Sequence, residues 1–162
     1  MKPVNFDYER PTALDDALAL LAQPNARVLA GGQSLGPMLN LRLAQPALLV
    51  DITDIDVLCE IAQKDGALHL GACVTHTVIE DGVLPDVTNG AMASVARGIA
   101  YRAVRNRGTI GGNVVHADPA SDLPPVLTAL GATIHISGSN GDRVMAAADF
   151  FTGMFETALE EG

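Results

Sequence analysis

The spacing of apolar residues changes character along this 162-residue chain, from helical and continuous at first to alternating later. Leu14, Leu18 and Leu21 recur at helical spacing with Ala13 and Ala17 beside them, which predicts a helix over residues 12–23. Thr12 with Asp15 three positions on resembles a capping box, and Pro24 stops the helix. Residues 27–30 read as a short buried strand, 37–43 as a short helix and 48–52 as a second strand. Two strands joined through a helix are expected to run parallel. From residue 59 the pattern alternates. Residues 59–63 and 67–71 flank Lys64-Asp65-Gly66 and predict an antiparallel hairpin. Thr75 is placed to cap a short helix ending at Glu80. Residues 85–98, with their alanines and Val87, Met92 and Val95, predict a helix packed close to a neighbour. Another is expected over 122–130, because Ser121 and Asp122 offer capping oxygens and Pro124 and Pro125 suit its first turn. Residues 132–136 and 142–145 flank the turn Gly138-Ser139-Asn140-Gly141, and 149–155 begin a further packed segment. This mixture predicts an α+β domain.

Composition narrows the function. Hydrophobic residues make up 48% and charged residues 18%, enough for a core and too apolar for disorder. The net charge of −9 and the aromatic content of 4% argue against nucleic-acid binding, which draws on many cations and on stacking platforms. Cys59 and Cys73 are too few for an iron–sulfur cluster and read as reduced packing residues, with a disulfide as the alternative. No apolar run reaches the ~18 residues of a membrane span. The N-terminal segment lacks the apolar core of a signal peptide, so the cytoplasm is the expected compartment.

Two glycine-rich stretches carry the candidate chemistry. Gly31-Gly32-Gln33-Ser34-Leu35-Gly36 leaves a strand and opens a helix, the placement of a pyrophosphate loop. It matches neither Walker A nor G-x-G-x-x-G. The stretch 105–125 contains Gly108, Thr109, Gly111, Gly112 and Asn113 and is expected to be an irregular loop whose amides form an anion nest. Arg105 and Arg107 read equally as phosphate or partner contacts and as salt-bridged residues. His116, beside Asp118, has no second histidine at ligand spacing. It reads as a hydrogen-bonded structural residue, with a proton relay or metal ligand as the alternative. His69, His76 and His135 read as surface or sheet residues.

Together these stretches resemble the FAD-binding subunit of the molybdenum hydroxylases, the family of the carbon monoxide dehydrogenase medium subunit and the xanthine dehydrogenase flavin domain. The residues that carry the resemblance are Ala30 to Leu35 with Leu41-Arg42-Leu43-Ala44, Arg105 to Asn113 with His116-Ala117-Asp118-Pro119 and Asp122-Leu123-Pro124, and Asp149 to Phe155. The resemblance implies a two-lobed FAD-binding domain of the PCMH type. A small βαβ lobe would span residues 1–56, and a larger antiparallel-sheet lobe with helices residues 57–162. It implies that Val28, Leu29, Ala30, Gly31, Gly32, Gln33, Ser34, Leu35 and Gly36 form the FAD pyrophosphate loop. Thr109, Ile110, Gly111, Gly112 and Asn113 would form a second phosphate loop. Asp122 would meet the polar chain of the flavin, and Ile99 would lie near the cofactor. No catalytic group or metal ligand is implied. Family subunits continue into further strands and a separate C-terminal domain, so the acidic ending at Glu160-Glu161-Gly162 is expected to lead into a missing strand.

The resemblance further implies an electron-transfer role. Electrons from a molybdenum-pterin subunit would pass through iron–sulfur clusters of a partner subunit to FAD, and then to NAD+ or another acceptor. Two readings from other classes stand beside it: a non-catalytic flavin- or nucleotide-binding assembly module, and a flavin oxidase or reductase of the related vanillyl-alcohol-oxidase type.

Overall fold

In the computed structural model, which describes residues 1–83 and 85–159, the first third of the chain builds a parallel sheet. Strand β3 (Leu48–Asp51) lies between β1 (Asp7–Glu9) and β2 (Ala26–Leu29). All four β3 residues are buried, as a strand covered on both faces must be. Its period-two alternation divides the core. Leu48 and Val50 face Ala17 of helix α1 (Leu14–Leu21), whereas Leu49 packs with Leu39 of helix α2 (Leu35–Asn40). The expected parallel pairing of the two strands is present.

Three expectations change here. Strand β2 is an edge strand with Arg27 and Val28 exposed, so it is not buried throughout. Helix α1 starts two residues later than expected, with Ala13 at its N-cap and no side-chain cap, so the Thr12–Asp15 capping box does not form. Strand β1 was not expected, because all three of its residues are exposed and show no apolar pattern. It is fixed instead by polar contacts at the end of β3. The Tyr8 hydroxyl donates to Asp51 Oδ2 at 2.6 Å, and Arg10 pairs with Asp54 at 2.7 Å. Burial works to raise the Asp51 pKa, but hydrogen bonds from Thr53 and Tyr8 outweigh it and hold the carboxyl below its usual range.

The rest of the described chain carries three antiparallel hairpins: β4 (Ile61–Lys64) with β5 (Ala67–Leu70), β6 (Thr133–Ile136) with β7 (Arg143–Ala146), and β8 (Phe151–Gly153) with β9 (Glu156–Thr157). Asp65 and Gly66 both take positive φ, the requirement of a two-residue hairpin turn with the correct twist. Helices α3 (Asp56–Cys59), α4 (His76–Glu80), α5 (Ala91–Gly98), α6 (Arg102–Arg105), α7 (Ile110–His116), α8 (Leu123–Ala129) and α9 (Ala147–Phe150) connect them. Their common core contains Val74, Ile79, Ala96, Val114, Leu123 and Phe150.

The helix expected over 85–98 is shorter than its pattern implied. Asp86 Oδ1 accepts from the amides of Thr88 and Gly90 at 3.0 Å each, folding the first residues into a turn. Such local side-chain bonds compete with helix formation. The ending at Glu160-Glu161-Gly162 lies outside the described residues.

Candidate functional site

The stretch expected to be an irregular glycine loop is a helix from Ile110 onward. Thr109 sits at its N-cap, and its Oγ1 accepts from the Gly112 amide at 3.2 Å. None of Gly108, Gly111 and Gly112 takes positive φ. They are small because neighbours are close. A Cβ on Gly111 would lie 2.6 Å from the Ala72 Cβ, and one on Gly108 2.9 Å from His76 Cδ2. The first-turn amides of α7 are also engaged: Ile110 donates to Val74 O and Gly111 to Ala72 O, each at 2.9 Å. Backbone carbonyls of residues 72 and 74 therefore seal this helix start, and it forms no open nest.

The other glycine loop has the free donors. Gly32 takes a φ of +69° and turns the chain out of β2. The amides of Gly32, Gln33 and Ser34 make no hydrogen bond among the described residues. Gln33 Nε2 donates to Gly31 O at 3.0 Å and braces the turn. The space a Cβ on Gly36 would enter is open to 4 Å. Leu29 and Leu35 anchor the loop in the core, Ala30 is half-buried, and Val28 is 42% exposed.

The two glycine stretches meet. Gly31 is buried, and a Cβ on it would lie 2.7 Å from the Arg107 carbonyl carbon and 2.8 Å from Gly108 Cα. Further along α7, Asn113 Oδ1 accepts from Ser121 Oγ at 2.7 Å. Asp122 is exposed, occupies the N-cap position of α8 and makes no cap bond, so neither expected capping oxygen serves α8. Its Oδ2 lies 3.9 Å from where a Gly98 Cβ would sit, one residue before the half-buried Ile99. A seven-residue helix such as α7 spans ~10 Å. The loop with the free amides lies against the residues just before its start, Asn113 within it is joined to Ser121, and the neighbouring Asp122 lies near Gly98. A row of amides fits a diphosphate, and a carboxylate fits a hydroxyl-bearing chain, so the donor set suits an extended dinucleotide. An apolar depression of about 840 Å³ between the first two hairpins is lined in part by Ile110 and Gly111 of α7, but by none of residues 31–36 and not by Asp122.

A charged brace supports the far end of this row. The buried Arg105 donates to Glu80 Oε2 at 2.7 Å, and to the carbonyls of Ile99 and Ala100 at 2.8 and 3.0 Å. Of the two readings of Arg105, the salt bridge is the one present. Hydrogen bonds from Arg105 hold the Glu80 carboxyl below its ordinary value, with Arg102 adding to them. A depressed carboxyl contributes stability above its unfolded pKa and loses it as pH falls through the folded one. Glu80→Gln is therefore expected to lower the melting temperature at pH 7 and to differ much less from the wild type at pH 3. Calorimetry at both pH values checks this.

The histidines divide differently from expectation. His76 is only 3% exposed and sits beneath Gly108, with no partner for Nδ1. Burial, then the Arg105 charge, pushes its pKa down to about 4. The polar residue at the first position of a short helix gave no periodic sign of this burial. The His116 side chain makes no hydrogen bond among the described residues; its ring packs on Phe155 with centroids 5.2 Å apart. His69 and His135 are exposed strand residues, as expected. No group of three or more His, Cys, Asp or Glu side chains among the described residues could hold a metal.

A parallel βαβ unit whose free-amide loop abuts the glycine helix of a hairpin-rich second half defines a flavin-dinucleotide-binding scaffold of mixed α and β structure. Residues 4–162 match the family model described as the FAD binding domain in molybdopterin dehydrogenase, and the chain belongs to that family. It is 41% identical over 163 residues to the caffeine dehydrogenase subunit beta of Pseudomonas sp. (strain CBB1), covering 99% of this chain and 55% of that one. It is 39% identical to the carbon monoxide dehydrogenase medium chain of Afipia carboxidovorans, covering 100% and 57%. The fold superposes on quinoline 2-oxidoreductase from Pseudomonas putida 86 with a TM-score of 0.92 at 41% identity, covering 99% and 57%. The chain thus spans little more than half the length of these relatives, and FAD is the cofactor of its family. No helix among the described residues is long and apolar enough to cross a membrane.

Proposed function

We propose that this chain is the FAD-binding part of an electron-transfer subunit in a cytoplasmic molybdenum hydroxylase complex. Its partners are an iron–sulfur subunit and a molybdenum-pterin subunit, and the final acceptor is NAD+ or another oxidant. The observation that carries the reading is the run of free amides at Gly32, Gln33 and Ser34 set against the second glycine stretch. Residues 1–56 form one lobe and 57–162 the other, with the cofactor between them. Bound flavin supplies the redox chemistry. The chain's own residues bind and orient: the amides of 32–34 take the diphosphate, and Asp122 accepts hydrogen bonds from the polyol. Thr109 and Asn113 fix the helix that separates these two contacts, and Ile99 gives an apolar surface at the ring end. No acid, base or nucleophile is asked of this chain.

The test is an absorbance spectrum of the purified protein after incubation with FAD and desalting. Wild type is expected to retain the flavin bands. Asp122 is exposed and makes no bond that the fold needs. Losing a hydrogen bond to a charged group costs ~1.5–3 kcal/mol, so Asp122→Ala should weaken FAD binding by roughly 10- to 100-fold while leaving the melting curve of the apoprotein unchanged. A folded wild type that retains no FAD, or an Asp122→Ala protein that binds as tightly, overturns the reading.

A further inference from the structure

The two cysteines, fourteen positions apart in sequence, meet where the parallel sheet hands over to the first hairpin. Cys59 ends helix α3, and Cys73 follows β5 by three residues. Their backbones are held side by side. The Gly71 amide donates to Glu60 O at 2.8 Å, and the Cys73 amide donates to Leu58 O at 2.7 Å. Gly71 leaves no room between them, since a Cβ there would lie 3.0 Å from the Cys59 nitrogen. Both thiols turn toward one short segment after β3. Cys59 Sγ donates to Thr53 O and Cys73 Sγ to Ile52 O, each at 3.5 Å. Cys59 is exposed and Cys73 is buried.

We infer that Cys59 and Cys73 form a reversible dithiol–disulfide site. With the two backbones held side by side and the thiols reaching the carbonyls of two consecutive residues, a modest approach brings the sulfurs to an S–S bond of ~2.05 Å. The oxidant is a low-molecular-weight disulfide of the glutathione class. The accessible Cys59, as thiolate, attacks one sulfur of oxidised glutathione. Its S–S bond breaks, a mixed disulfide forms on Cys59, and one glutathione leaves. Cys73 then loses its proton and attacks Cys59 Sγ, which releases the second glutathione and closes the Cys59–Cys73 bond. Two electrons and two protons have passed from the pair to one oxidised glutathione, giving two reduced ones. Exposure sets the order of attack. Burial pushes the Cys73 thiol up to about 12, so the closing step is slow and the reduced pair is kinetically guarded.

The site adjoins the candidate cofactor platform. The residue before Cys73 is Ala72, whose carbonyl holds the Gly111 amide, and the residue after it is Val74, whose carbonyl holds the Ile110 amide. A bond at Cys73 therefore anchors the segment that seals the start of α7. The inference does not depend on flavin binding, and its test reads no flavin.

The purified protein is incubated with oxidised glutathione, quenched with acid, and weighed by intact mass spectrometry without reductant. The expected result is a loss of about 2 Da, the two thiol hydrogens, reversed by dithiothreitol. A non-reducing digest should then join the Cys59 peptide to the Cys73 peptide. Cys73→Ser should stop at one glutathione adduct, a gain of about 305 Da, on Cys59. Cys59→Ser should stay unmodified while folded. Three results would overturn the site: wild type that keeps its mass, wild type that stops at the glutathione adduct, and a crosslink between two chains. Modification of Cys73 in Cys59→Ser at the wild-type rate would overturn Cys59 as the point of entry.

Discussion

Gly31→Ala should destabilise the protein by about 3 kcal/mol, at the upper end of the usual cost of overpacking. The added methyl would point into the Arg107–Gly108 backbone, 2.7 Å from the carbonyl carbon and 2.8 Å from Cα. Neither atom belongs to a flexible side chain, so the two glycine stretches must separate to admit it. That separation also moves the free amides of 32–34 away from α7. Gly36→Ala is the matched control. It lies five residues on, in helix α2, with nothing within 4 Å of the new methyl. Replacing a helical glycine by alanine there should leave stability unchanged or raise it by up to ~1 kcal/mol. Urea denaturation of the two apoproteins reads both effects as shifts of midpoint at constant slope. Equal midpoints would mean that the contact between the stretches does not hold the fold.

His76→Leu should remove most of the acid sensitivity of the fold between pH 6.5 and pH 4. In the unfolded chain this histidine takes up its proton near 6.5, whereas in the folded protein burial delays uptake to about 4. Between those values the unfolded state binds more protons, so stability falls as pH falls. A displacement of that size corresponds to about 3 kcal/mol, fully present above pH 6.5 and lost by pH 4. Arg105 reinforces the effect by opposing a second positive charge. The carboxyls of Glu80 and Asp81 are held below their ordinary values, so their contributions disappear only at still lower pH. Leucine carries no proton and no unsatisfied Nδ1, so the variant should equal or exceed wild-type stability at pH 7. Melting temperatures at half-unit steps from pH 7 to pH 4 should diverge, the wild type falling below the variant as the pH drops. Parallel profiles would show that His76 is not the buried neutral group responsible.

Much of the architecture was legible because it is local. The hairpin around Asp65-Gly66 follows from two residues that accept positive φ between alternating segments. The parallel pairing of β2 with β3 follows from the helix between them. The glycine stretches themselves, with Asp122, were visible as motif and spacing, and the family match bears out what they resembled. What stayed hidden depended on partners distant in sequence. Whether an amide is free or occupied is decided by carbonyls elsewhere. Ala72 and Val74 take the donors of α7, and no comparable carbonyl among the described residues reaches residues 32–34. The composition of the stretch 105–125 could not disclose that its glycines serve close packing against Ala72 and His76 rather than positive φ. Arg105 and His76 look like ordinary polar positions until Glu80, Ile99 and Gly108 close around them. The sequence alone determined which segments could turn, pair and leave a strand through a glycine loop, because those properties reside in backbone freedom and short-range periodicity. Only the tertiary structure decided which loop keeps its donors free and which charges are buried, because hydrogen-bond satisfaction and desolvation belong to the atoms that surround a residue.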